Sequence, residues 1–135
     1  MITAEHVFAD REQLAFHLAG DVASALRACL SEKGKATLAV SGGTTPRLFF
    51  EKLSQIELPW RNITVTLVDE RQVPETSERS NARLVRAALI QNEAADARFV
   101  PLYDNPDADQ LPPLDVAVLG MGNDGHTASD RKSVV

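Results

Sequence analysis

Short apolar runs alternate along this chain with segments of helical period, and that alternation restricts the fold more than any other feature. "ATLAV", "NITVTLV", "RFV" and "LDVAVL" have the length and composition of buried strands. Between and before them lie "DREQLAFHLAGDVASALRACLSEKG", "PRLFFEKL" and "SNARLVRAALIQNE". A chain that alternates in this way buries its strands as a parallel sheet joined by right-handed crossovers. The expected class is α/β, with a mainly parallel, Rossmann-like sheet and helices on both faces.

Local signals set the element limits. In the first helical segment Leu14, Leu18, Val22, Leu26, Cys29 and Leu30 recur at helical spacing, Asp10 reads as its N-cap with Gln13 three residues on, and Gly34 as its stop. Cys29 reads as a small core residue, and His17 as a boundary or surface residue. Thr45 precedes Pro46 at the start of the second helix, where a missing N–H costs nothing. In the third, Leu84, Val85, Ala88 and Leu89 face one way, and Arg83 and Arg86 face solvent. Pro101 weakens the strand in "RFVPLY".

At 135 residues one domain is expected, and 44% apolar with 24% charged residues is ordinary for a soluble protein. A net charge of −5 argues against nucleic-acid binding, which draws on clustered Lys and Arg, but leaves room for one small anionic ligand. Neither a signal core nor a membrane-spanning run is present, so no membrane partner and a cytoplasmic location are expected. His6, His17, His126 and Cys29 lack metal-ligand spacing, and no metal site is expected.

Ligands of open parallel sheets bind at the carboxyl ends of the strands. Three strand candidates here run into polar or glycine-rich turns: "SGGTTP" from Ser41, "DER" from Asp69, and "GMGNDGHT" from Gly120. In the first, Gly42 and Gly43 free the backbone to aim N–H groups inward. Thr44 and Thr45 add hydroxyls ahead of a helix N-terminus, which makes either an anion cradle or a plain capping turn. It lacks the lysine and spacing of a P-loop. In the second, a carboxylate can hold sugar hydroxyls and Arg71 can pair with phosphate, or the residues form a surface ion pair.

Gly120, Gly122 and Gly125 fit Gly-x-Gly-x-x-Gly, yet the fingerprint for a dinucleotide belongs at the first strand–helix turn and needs an acid about 20 residues later. This one follows three strand candidates, and the chain ends at Val135, so that assignment is rejected. His126 beside Asp124 remains either a general base with an orienting carboxylate or a turn-capping histidine.

In this order and at these intervals, "SGGTTP", "VDERQVPETSERSN" and "GMGNDGHTAS" resemble the motifs of 6-phosphogluconolactonases, within the sugar-phosphate isomerase-like α/β superfamily. The resemblance covers about residues 1–129, as the N-terminal portion of a single lactonase-like domain, with 130–135 a divergent tail. The related glucosamine-6-phosphate deaminases share two of the turns, but Arg71 and Thr127 are similar to the lactonase pattern.

The resemblance implies hydrolysis of 6-phosphogluconolactone to 6-phosphogluconate in the oxidative pentose phosphate pathway, without metal or organic cofactor. It implies His126 as general base, positioned by Asp124. Ser41, Gly42, Gly43, Thr44 and Thr45 would hold the phosphate or sugar end, Asp69 and Arg71 would line the pocket, and Ser80 and Asn81 would stand near its rim. The small phosphorylated lactone would be its partner. Members of the family continue after "GHTAS" with Leu-Phe-Pro and a long C-terminal portion, where this chain has "DRKSVV". The expectation is therefore a domain lacking its C-terminal part, either a lactonase or an inactive fragment that at most binds phosphosugar weakly, with self-association through uncovered sheet.

Overall fold

The computed structural model describes residues 4–41 and 47–118, with side chains from residue 12 onward. Among them α1 spans Ala4–Lys33, β1 Ala36–Val40, α2 Arg47–Ser54, β2 Ile63–Leu67, α3 Asn81–Ala88, β3 Arg98–Val100 and β4 Val116–Val118. Short 3-10 turns at Trp60–Asn62, Asn92–Asp96 and Pro106–Gln110 fill the connections. The sheet has the order β3-β2-β1-β4, and every pairing is parallel. This is the expected α/β class.

The first helix differs from its expected limits. It begins at Ala4, so Asp10 lies inside it and is not its N-cap. "AEHVFAD" has no Gly or Pro to interrupt helical hydrogen bonding, and a carboxylate one turn in does not stop a helix that has begun. The other end is as expected. Gly34 has φ +78°, where a side chain would be strained, and its N–H donates to Leu30 O at 2.8 Å.

The buried stripe of α1 is Ala15, Leu18, Ala19, Val22, Ala23 and Leu26, recurring every three or four residues. Its three alanines let the helix approach its neighbours closely. Leu14, expected in this stripe, is instead 39% exposed beside Phe16 on the outer face. Cys29 and Leu30 pack half-buried against the core, and His17 is exposed against the Phe16 ring edge.

One sheet face supplies Leu38 and Val40, Ile63, Val65 and Leu67, and Val116 and Val118 to the core. Against them pack the α1 stripe, Phe49, Phe50 and Leu53 of α2, and Val85 and Leu89 at α3. The opposite face carries the small buried residues Ala39, Thr66 and Ala117. Pro101 sits just outside β3, and Thr66 Oγ1 secures that short strand by donating to Val100 O at 2.8 Å.

β4 has only three residues, and the chain reaches it from β3 at the far edge of the sheet. Asp115 sets its register. The Asp115 N–H donates to Thr37 O at 2.9 Å, while its carboxylate accepts from Thr37 N–H at 2.9 Å and from the Lys33 ammonium at the end of α1. The carboxylate is buried. Leu38 then lies opposite Val116 and Val40 opposite Val118.

Asp115→Ala leaves the Thr37 N–H without an acceptor and is expected to cost roughly 1–3 kcal/mol in urea unfolding. Asp115→Asn keeps that acceptor and should cost less. The hydrogen bond to Asp115 holds the Lys33 ammonium above its ordinary value of 10.5, with burial opposing it in part. A raised lysine stabilises the fold fully below its unfolded pKa and loses that contribution as pH rises through the folded one. The pair's contribution to the midpoint should therefore not vary with pH around neutrality and should fall above pH 10.5. That alkaline fall should be absent in Asp115→Asn.

Candidate functional site

β1, β2 and β4 run side by side in one direction, so their carboxyl ends form one rim. Main-chain bonds close that rim. Ser41 N–H, just past β1, donates to Val118 O at the end of β4 at 2.8 Å. Val68 N–H, just past β2, donates to Val40 O at 2.9 Å. The described carboxyl ends of β1, β2 and β4 are therefore adjacent. Ser41 is buried at the centre of this line.

Of the residues expected at the site, Gly42, Gly43, Thr44, Thr45, Asp124 and His126 lie outside the described residues. Ser41, Asp69, Arg71 and Asn81 lie within them. Asp69 and Arg71 are exposed, and Asn81 is buried at the start of α3. The Asn81 side-chain amide donates to Asp69 O at 3.4 Å, which brings these two residues together. Arg71 turns back along its own loop, and its Nη1 donates to Arg79 O at 2.9 Å.

Glu70, between Asp69 and Arg71, organises this region. Its Oε1 accepts from Arg71 N–H at 2.7 Å and from Asn81 N–H at 2.8 Å. Its Oε2 accepts from Ala82 N–H at 2.9 Å and, at the limit of hydrogen bonding, from Ser80 Oγ at 3.4 Å. A carboxylate at a helix N-terminus meets unpaired amides and the positive end of the dipole. Ser80 is the N-cap, extended at φ −74° and ψ 127°, and accepts from Arg83 N–H at 3.1 Å. The first amides of α3 are thus occupied from within the protein. A ligand anion has no place there.

Glu70 belongs to the "DER" turn singled out in the sequence, but the resemblance names only its neighbours Asp69 and Arg71 as lining the pocket. A weak signal existed: an acid directly after a buried strand, followed by a Ser-Asn helix start. Arg83 and Arg86 are exposed as expected, yet they do more than face water. Arg83 Nη1 donates to Thr76 O at 2.7 Å, and Arg86 pairs with Glu75 while its guanidinium lies 4.8 Å from the centre of the Phe99 ring. The loop over residues 69–80 is therefore fastened along its length. Among the described residues no cluster of His, Cys, Asp or Glu could hold a metal ion, and no helix is long and apolar enough to cross a membrane.

Comparison with known proteins places these observations in a family. The family described as glucosamine-6-phosphate isomerases/6-phosphogluconolactonase matches residues 9–129. The 6-phosphogluconolactonase of Mesorhizobium japonicum is 55% identical over 137 aligned residues, covering 92% of this chain and 58% of the relative. That of Rhizobium meliloti is 50% identical, covering 92% of this chain and 59% of the relative. The crystal structure of a 6-phosphogluconolactonase from Shewanella baltica superposes with a TM-score of 0.75 at 43% identity, over 86% of this chain and 55% of that one. The chain thus spans less than two thirds of the length of the relatives it matches.

Ser80→Ala removes the cap of α3 and is expected to destabilise the fold by about 1 kcal/mol. In hydrogen exchange the loss should concentrate at the Arg83 amide, because Glu70 still covers those of Asn81 and Ala82.

Proposed function

This chain belongs to the family of glucosamine-6-phosphate isomerases and 6-phosphogluconolactonases, and from that premise we propose that it carries the phosphosugar-binding and catalytic turns of a 6-phosphogluconolactonase. The substrate is 6-phosphoglucono-1,5-lactone and the product 6-phosphogluconate. One observation supports the proposal: the Ser41–Val118 and Val68–Val40 bonds set the carboxyl ends of β1, β2 and β4 in one line. The lactonase names of relatives at 50% and 55% identity, together with Arg71 and Thr127, favour the lactone over an amino sugar.

In this mechanism the amide-rich turn Gly42–Thr45 and the guanidinium of Arg71 receive the phosphate and sugar end. Asp69 accepts from sugar hydroxyls. His126, oriented by Asp124, takes a proton from water as its oxygen bonds to the lactone carbonyl carbon. The carbonyl electrons move onto oxygen, where backbone N–H groups of the glycine turn stabilise the charge. Collapse breaks the bond to the ring oxygen, which takes the proton from the imidazolium. The acid formed ionises to 6-phosphogluconate. Each step needs only a base, donors and a carbonyl that is already electrophilic, so neither metal nor organic cofactor is required. The same proposal includes a cytoplasmic setting, where the phosphorylated sugar is found.

Replacing His126 by Ala is expected to lower the enzymatic rate by roughly 10²–10⁴-fold, measured above spontaneous lactone opening at neutral pH. Equal rates for the two chains would refute the hydrolytic proposal. Arg71→Ala should act mainly on KM, and its effect should vanish with the lactone that lacks the phosphate.

A further inference from the structure

We propose that Glu70 is a positioning residue for the substrate pocket: its carboxylate ties the end of β2 to the start of α3 and so holds Asp69 and Arg71 at the rim. The proposal rests on the lactonase assignment for the identity of the ligand, and on the loop geometry for everything else.

An ionised carboxylate offers about four acceptor sites. Those of Glu70 are met by four donors of the protein, from Arg71 N–H on one side and Ser80 Oγ, Asn81 N–H and Ala82 N–H on the other. The filled carboxylate has no site left for a sugar hydroxyl. Glu70 therefore acts through its neighbours. Both of them are tied: Asp69 O accepts from the Asn81 side chain, and Arg71 is held at its N–H by Glu70 and at its guanidinium by Arg79 O. Among the described residues that last bond takes one of the five guanidinium donors, and a fork remains for an anion.

The gain is preorganisation. An exposed arginine on an unfastened loop must lose backbone and rotamer freedom when it binds, and that cost subtracts from affinity. Here the backbone part is spent on folding, by charge-assisted bonds to a helix end. Glu70→Gln keeps the shape but turns one acceptor into a donor facing amide donors. Glu70→Asp keeps both acceptors on a shorter stem.

Calorimetric titration of the full chain with 6-phosphogluconate, which does not undergo lactone opening, tests this directly. Glu70→Gln and Arg71→Ala are each expected to weaken binding roughly tenfold, the scale of one lost charge-assisted bond, and the double variant no further. Glu70→Asp should recover part of the loss. Arg86→Ala releases the same loop from Glu75 and should leave affinity unchanged, which separates positioning from general loosening.

Additive losses in the double variant, unchanged affinity in Glu70→Gln, or an equal loss in Arg86→Ala would each overturn the proposal. So would an unsubstituted chain that does not bind the phosphosugar. Binding with the expected coupling but no hydrolysis above background would leave Glu70's role standing and remove the lactonase assignment.

Discussion

A single buried carboxylate decides whether the rim of this sheet exists. β4 enters from across the molecule, after a connection whose only regular element is a 3-10 turn, and it is three residues long. So short a strand has few ladder bonds with which to choose its own register, and a slip by one residue would turn every side chain to the other face. Asp115 removes the ambiguity because it bonds both main-chain polar groups of Thr37 and the Lys33 ammonium. With that register, Val118 O meets Ser41 N–H, and whatever follows β4 starts beside the turn that follows β1. The anchor lies at the amino end of the strands, and its consequence appears at the carboxyl end.

A second carboxylate works at the opposite end of the sheet. Glu70 meets the exposed amides of α3, and the loop between β2 and α3 becomes a fastened strap in place of a free excursion. Both acids accept from backbone N–H groups, strong donors fixed in direction: Glu70 from three of them, Asp115 from that of Thr37 together with the Lys33 ammonium. Asp115 aligns a strand and Glu70 aligns a loop. Between them they determine which residues stand beside Ser41, whose own backbone is shared between β1 and β4.

Much of this was legible in the residues. Strand-type runs, helical spacing and Gly34 located the α-helices and strands among the described residues, since each is a local property of a few neighbours, while the 3-10 turns carried no such signal. Three errors mark where local signals stop. The third helical segment, expected to run to Glu93, ends at Ala88 and is followed by a 3-10 turn at Asn92–Asp96. Asp10 has the chemistry of an N-cap, but nothing before it ends the helix. Leu14 shares the spacing of the buried stripe, yet the stripe that packs runs through Ala15, Ala19 and Ala23. Alanine is a weak marker of burial in sequence; close helix approach favours it in the fold.

Of the proposed site, residue types and their order were readable from the sequence alone: a glycine-rich turn, an acid–arginine pair and a histidine, each following an apolar run. Composition and periodicity carry such information because they depend on residues near one another in the chain. Only the tertiary structure decided that β4 pairs with β1, that Glu70 serves α3 and not a ligand, and that Arg83 and Arg86 clamp a loop. Those outcomes join residues 7 to 78 positions apart. They depend on which buried donor is left without water, and that is not defined until the chain has packed.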